Sequence, residues 1–401
     1  MGVDIDISTS KPGYFAGETV EGTLTVSVTD SDGTSADELF LELKGKSLSN
    51  VMHQTTRTVS TGGGTTTVTD YHMISQSKDI LEYDLQLAKF GGRAEFGNHV
   101  FHFALVLPVN LPSSMKESGD GGNCSIEYYF KGKLKRPGLL IFDAKDKHEV
   151  EVFARPRVFE PRPVLAGPHS TVVKTCCCFK SGSMSIGFQA DRAVMSRNEV
   201  LGVTVVARND STKSVKELVI DLCQDTKWTA HGMTQTKKRK IASIKVSGSQ
   251  LGEVGTPAEK GSDRGRSLAV VSNAARNELE ELLRSGAGVR HELVVPEDCS
   301  DTMDSELILV RHSIEAKLKT PSCVNSPDVW TSAVVQRMGG AASDGPTQPM
   351  AVAAATSADP HAVGLDAQGN PIPVLVPEDS LNFGLHAIPD PSAPPPPEYS
   401  K

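Results

Sequence analysis

Val3, Ile5 and Ile7 alternate with polar residues, the two-residue period of a half-buried strand. Lys11-Pro12-Gly13 reads as a turn, and Val20, Leu24, Val26 and Val28 continue the alternation into a second strand. Glu38-Leu39-Phe40-Leu41-Glu42-Leu43 supplies a third, whose continuous apolar centre predicts burial on both faces. Thr-rich sequence around Gly62-Gly63-Gly64 predicts an exposed hairpin tip. The run from Asn98 to Leu107 is a strand stopped by Pro108, and Ile126 to Pro137 is another. Met184, Ile186 and Phe188, then Glu199 to Ala207, then Ile308 to Leu318, then Val329 to Gln336 keep the same period, with Arg208-Asn209-Asp210-Ser211 as a polar turn. One segment departs from it. Within 247–289, Leu268, Val271, Ala275, Leu279 and Leu282 fall near helical spacing with Glu278, Glu280, Glu281 and Arg284 between them, which predicts an amphipathic helix in an insertion.

The third strand occurs twice. Glu38-Leu39-Phe40-Leu41-Glu42-Leu43 returns as Glu217-Leu218-Val219-Ile220-Asp221-Leu222. Upstream of each copy stands a second matching stretch, beginning at Gly17-Glu18 and at Asn198-Glu199. Two similar units in tandem follow from this order. Between them, Arg155-Pro156-Arg157-Val158-Phe159-Glu160-Pro161-Arg162-Pro163 can sustain neither helix nor central strand, because proline fixes φ and removes a donor. The expected organisation is a first domain over 1–155, a linker over 156–170, a second domain over 171–336 that carries the 247–289 insertion, and a tail over 337–401.

Composition narrows the function classes. A chain of 401 residues has room for two or three domains, and 38% hydrophobic residues suit sheets that keep one wet face. A net charge of −8 argues against bulk nucleic-acid binding, which needs a basic footprint. The first residues lack the basic and apolar regions of a signal peptide, and no stretch approaches the roughly 20 apolar residues of a membrane span. Seven cysteines, with Cys176, Cys177 and Cys178 consecutive, fit a reduced cytosolic protein better than a disulfide framework and make a poor zinc site. His99 and His102 on one strand point to opposite faces, so they do not share a metal. Neither a cofactor nor a metal is expected.

Enzyme signatures are absent as well. Gly45-Lys46-Ser47 imitates the end of a phosphate-binding loop, but Phe40 stands where the earlier glycine belongs, and no Gly-x-Ser-x-Gly elbow occurs. Basic clusters are the remaining candidates. Lys131, Lys133 and Lys135 project from one side of a strand that ends in Arg136; this stripe is either a solvated sheet face or a surface for acidic or phosphorylated cargo. Lys237-Lys238-Arg239-Lys240 reads as a hairpin arm on a wet face, ahead of a nuclear address or a phosphate site.

Several stretches in order carry a resemblance: Gly17-Glu18-x-Val20-x-Gly22, Leu107-Pro108-x-x-Leu111-Pro112-Ser113-Ser114, Tyr128 to Leu134, Cys177-Cys178-Phe179, and Leu222 to Gly232. Together they look like an arrestin over residues 1–336. The resemblance implies an all-β fold of two tandem immunoglobulin-like β-sandwiches, followed here by a disordered Pro-rich tail. After Arg337 no Lys or Arg occurs before Lys401, and 12 of the 24 prolines lie there. Such a segment cannot bury enough apolar surface to fold alone.

Near its end stands Pro396-Pro397-Glu398-Tyr399, a PPxY sequence. A preformed polyproline II turn lays Pro396 and Pro397 in an aromatic groove while the Tyr399 ring fills a neighbouring pocket, which is the chemistry of a WW domain. The combination resembles the α-arrestins, the arrestin domain-containing proteins. It implies a cytosolic adaptor that binds cytoplasmic tails of membrane receptors or transporters, recruits a WW-domain HECT-type ubiquitin ligase, and promotes ubiquitination, endocytosis and trafficking. Cargo would bring it to the plasma membrane and endosomes. The alternative is a retromer-like subunit of an endosomal sorting coat. Two features depart from the family pattern: a single PPxY, which makes recruitment more dependent on avidity, and the 247–289 insertion.

Overall fold

The computed structural model describes residues 2–137, 143–159, 161–175, 179–254, 273–321 and 324–338. Among the described residues, nine strands build the first half: β1 (Val3–Thr9), β2 (Gly13–Phe15), β3 (Thr19–Val28), β4 (Thr34–Thr61), β5 (Gly64–Ala94), β6 (Gly97–Val106), β7 (Met115–Gly119), β8 (Gly122–Lys135) and β9 (Ala144–Phe153). They form two sheets, β1-β3-β6 and β2-β9-β8-β4-β5, with β7 paired to β8. The alternation read in the sequence turns Ile5, Ile7, Leu24 and Val26 of one sheet toward Leu41, Leu43, Phe130 and Leu134 of the other, and all are buried. The Phe103 and Phe130 rings meet across the gap at 5.0 Å. Gly132 permits the close approach, since a Cβ there would lie 3.0 Å from both Ile5 and Leu24.

The second half repeats the plan with β10 (Val164–Thr175), β11 (Phe179–Ala190), β12 (Val194–Ser196), β13 (Val200–Ser211), β14 (Glu217–Ala230), β15 (Met233–Ser247), β16 (Val289–Val294), β17 (Met303–Asp304), β18 (Ile308–Lys319) and β19 (Asp328–Gln336). The sheets are β10-β11-β13-β16 and β12-β19-β18-β14-β15, with β17 on β18. Met184, Ile186, Phe188, Leu201, Val203, Leu218, Ile220, Ile314 and Ala316 fill their core. The chain is therefore an all-β protein of two tandem sandwiches.

The duplication extends to single hydrogen bonds. β4 and β14, the two copies of the hexapeptide, are both interior strands of the larger sheet, and β2 with β9 and β12 with β19 are the parallel pairs. Gly17 and Asn198 both take positive φ, 91° and 63°. The next residue then folds back: the Phe15 N–H donates to Glu18 Oε2 at 3.0 Å, and the Ser196 N–H to Glu199 Oε2 at 2.8 Å.

Some expectations need correction. Burial on both faces holds for the second hexapeptide, where Leu218 to Leu222 are all buried, whereas in the first only Leu39, Leu41 and Leu43 are. Val219 lies in register between Lys245 and Lys317, whose aliphatic stems can cover an outward apolar residue. β10 begins at Val164, inside the span expected to be linker, and β13 runs through Arg208 to Ser211, read above as a turn. Gly45-Lys46-Ser47 lies within β4, with no loop or helix to cradle a phosphate. The inserted helix, α1 (Asn273–Ser285), buries Leu279 and Leu283 against Val206, while Leu282 is exposed. Leu268, Val271, Cys176, Cys177, Cys178 and the tail from 339 lie outside the described residues. No helix among the described residues is long and apolar enough to cross a membrane.

Candidate functional site

β8 places Lys131, Lys133 and Lys135 on the outer face of the first sandwich, half-buried and alternating with buried Phe130, Gly132 and Leu134. Antiparallel pairing with β9 sets Lys147 beside Lys131 and Lys145 beside Lys133, so the stripe widens to two strands. Sequence reasoning missed these two lysines, although their alternation in β9 was a usable signal. The cations are not bare. Lys131 Nζ donates to Glu42 Oε2 at 3.0 Å, Lys135 Nζ to Glu38 Oε2 at 3.0 Å, and Lys133 lies 3.4 Å from Asp143. Lys135 also sits 4.3 Å over the Phe40 ring. Arg136 is turned to the start of β4, its Nη2 donating to Thr34 Oγ1 at 2.7 Å. The Lys135 ammonium holds the Glu38 carboxyl below the usual carboxylate range. An anion can bind here only by competing with these carboxylates for the ammonium groups.

A second set of groups gathers where the sandwiches meet. Trp228, Ala230, Met303, Leu307, Ile308 and Val310 come from the second half yet share one apolar cluster with the core of the first. Trp228 is 1% exposed, and its indole N–H donates to the Asn50 carbonyl at 3.0 Å. Around this centre lies a polar layer. Lys237 Nζ donates to Glu117 Oε1 at 2.7 Å, and the His231 N–H to Gln76 Oε1 at 2.6 Å. Lys78 pairs with Glu306. The basic run is thereby absorbed: Lys238 pairs with Glu315, Lys240 with Asp221, and Arg239 Nη2 donates to Gln224 Oε1 at 3.2 Å. It lies on β15, the hairpin arm that its sequence suggested.

The deepest polar contact is between equivalent positions of the two repeats. Ser114 Oγ accepts the Val152 N–H at 2.9 Å, and Thr302 Oγ1 accepts the Val335 N–H at 2.8 Å. One residue before each, the Ser113 hydroxyl and the Asp301 carboxylate are hydrogen-bonded to one another. Asp301 Oδ1 also accepts from Arg197 Nη2 at 2.8 Å. Beside them a cleft of about 750 Å³ opens between the sandwiches, with Arg155, Arg157 and Phe159 on one wall and Asp301, Asp304 and Leu307 on another. Buried His312 shares a 2.8 Å hydrogen bond with Thr302 Oγ1, and burial, with Arg239 and Arg197 nearby, pushes its pKa down to about 3. Its alternation with Val310 and Ile314 marked it as inward-facing; nothing in the sequence marked the polar surroundings. His99 and His102 face opposite sides of β6, and Pro396, Pro397 and Tyr399 lie outside the described residues.

A third surface is the β4–β5 ribbon, which pairs without interruption from Lys46–Asp79 to Thr61–Gly64. β8 leaves β4 at Val51, so beyond it the two strands run alone into solvent. The exposed hairpin tip at Gly62-Gly63 is where the Thr-rich sequence put it.

Residues 3–156 match the family model described as Arrestin (or S-antigen), N-terminal domain, a span that coincides with the first sandwich. Arrestin domain-containing protein 15 of Caenorhabditis elegans is 25% identical over 255 residues, covering 62% of this chain and 63% of the relative. The match thus spans somewhat less than two thirds of that relative's length. The chain is similar to arrestins in sequence, and its paired sandwiches are those of an arrestin fold.

Proposed function

We propose that this protein is an arrestin-like adaptor, not an enzyme: its sandwiches hold the cytoplasmic tail of a membrane receptor or transporter, and its Pro-rich tail tethers a WW-domain HECT-type ubiquitin ligase. One observation carries the reading. A two-sandwich body similar to arrestins is followed in the same chain by Pro396-Pro397-Glu398-Tyr399. Proximity then does the chemistry, because tethering raises the ligase's effective concentration at lysines of the cargo. Pro396, Pro397 and Tyr399 make the ligase contact. Lys131, Lys133, Lys135 and Arg136 make the cargo contact, exchanging Glu38, Glu42 and Asp143 for phosphate or acidic side chains. The working location is the cytoplasm, with cargo drawing the adaptor to the plasma membrane and endosomes.

The test is binding of the full chain, wild type and Tyr399→Ala, to a panel of WW domains. Micromolar binding that falls roughly tenfold or more on substitution is expected. Binding indifferent to Tyr399 would remove the ligase arm and favour a sorting-coat subunit. In parallel, Lys131→Glu, Lys133→Glu and Lys135→Glu together should abolish capture of phosphorylated tail peptides. Undiminished capture would sink the cargo assignment.

A further inference from the structure

Sheet edges expose unpaired N–H and C=O groups, and folded proteins guard them with charge, proline, bulges or shortness. Among the described residues, most edges of this molecule follow that rule. β15, the edge strand of the larger sheet in the second sandwich, carries Lys237, Lys238, Arg239, Lys240 and Lys245, and its pairing with β14 is broken by a bulge at Leu222/Cys223. β10 contains Pro168 and two register shifts. β2 and β12 are three residues long, β16 is six and carries Arg290 and Glu292, and β1 is seven and exposes Asp4 and Asp6. β6, ten residues with no Lys, Arg, Asp, Glu or Pro and no bulge, is also unguarded but is shorter than the open stretch of β5.

β5 is the counterpart of β15 and has none of these devices over Thr65–Ser77. That stretch holds one carboxylate, Asp70, and neither Lys, Arg nor Pro, and its pairing with β4 has no bulge. At about 3.3 Å per residue it is an open edge of roughly 40 Å. Thr65, Thr67, Thr69, Tyr71 and Met73 are all exposed. The two-residue turn closes on the Thr61–Gly64 pair, and alternation along the ladder then points the N–H and C=O groups of these odd-numbered residues away from β4. An isolated two-stranded ribbon is marginal in water, so a third strand has stability to add.

We propose that this edge pairs with the same edge of a second copy of the chain, antiparallel across a two-fold axis at Ile74. The charge pattern favours a second copy and fixes this register. With Ile74 opposite itself, the outward odd-numbered groups meet one another, and Asp70 of each copy falls opposite Lys78 of the other. Asp70 already holds Arg57 at 3.2 Å and Lys78 already pairs with Glu306. The dimer therefore lines up Arg57, Asp70, Lys78 and Glu306 as alternating charges on each side of the axis. Shifting the axis by one residue sets Asp70 opposite Ile80 or Gln76 and loses the match. An edge-to-edge contact of this kind is isologous and closed, so it ends at two copies.

Sedimentation velocity of the full chain across the micromolar range tests the proposal. A concentration-dependent dimer is expected. Thr69→Pro, which removes only an outward N–H, and the gatekeeping pair Thr67→Lys with Thr69→Lys should each weaken it roughly tenfold or more with the circular dichroism and melting temperature of the wild type retained. Ile74→Cys should form a disulfide-linked dimer under mild oxidation, above the background of the wild-type cysteines, and Thr66→Cys should not. A chain that stays monomeric at every concentration, which would leave the edge to an extended segment of another protein, overturns the proposal. So does a dimer indifferent to the edge substitutions, or crosslinking equal at the two sites.

Discussion

Asp301 sits 3% exposed between the sandwiches, held by the Ser113 hydroxyl and by Arg197, whose side chain is 11% exposed. A buried ion pair adds little over an apolar pair of the same shape, but losing one partner strands the other charge away from water. Asp301→Ala should therefore cost about 3 kcal/mol or more, while Asp301→Leu combined with Arg197→Met should recover most of it, measured as urea midpoints in a double-mutant cycle. His312 is the second group at this scale that pH can address. Its folded pKa, about 3, lies below the ordinary 6.5, so the native fold holds it neutral. Its contribution is complete above pH 6.5 and is lost as pH falls toward 3. At pH 5 the wild type should have lost about 2 kcal/mol through this group. His312→Gln should flatten that part of the stability profile; an unchanged slope between pH 7 and 5 would assign it elsewhere.

At the scale of elements, the repeat makes its own control experiment. The turns before β3 and β13 use the same carboxylate cap, and each Glu also meets a cation seven residues upstream, Lys11 at 3.8 Å from Glu18 and Arg192 at 2.5 Å from Glu199. Glu18→Ala and Glu199→Ala should each destabilise by about 1 kcal/mol, whereas Glu21→Ala, exposed near the start of β3, should be close to neutral by the same thermal melt. This duplication, like the strands with clean alternation such as β1 and β18, was legible because one sheet face is apolar and the other wet. Three features were not. The length of the β4–β5 ribbon leaves no period when both faces are polar, so its Thr-rich sequence reads as tip alone. Arg208 to Ser211 continue β13 because neighbouring strand and helix supply partners that a local turn signal ignores: β11 pairs with them in register from Ser185–Arg208 to Gly182–Ser211, and Glu278 of α1 takes Arg208 Nη1 at 3.1 Å. On α1 the residue that packs is Leu283 and not Leu282, a rotation fixed by space over Gly187, where an added Cβ would lie 2.7 Å from the Leu283 side chain.

Taken as a whole molecule, the two sandwiches are joined by a centre and a rim of different character. Trp228 and its apolar neighbours continue the first core, which no sequence period announces because β14 alternates the same way whether its end meets a loop or another domain. The Lys78–Glu306 pair of the rim is exposed, its side chains 37% and 53% accessible, so salt screens it. The Trp228 contact is buried and indifferent to ionic strength. Coupling between the sandwiches should thus survive high salt and depend on the indole. The wild type should melt in one calorimetric transition at low and high salt alike. Trp228→Ala should lower stability by about 3–5 kcal/mol and, by deleting the shared centre, separate the transition into two. Trp228→Phe, which keeps an aromatic body but not the N–H to Asn50, should keep one transition at reduced melting temperature. If instead raising the salt alone splits the wild-type transition, the rim couples the sandwiches and the shared core does not.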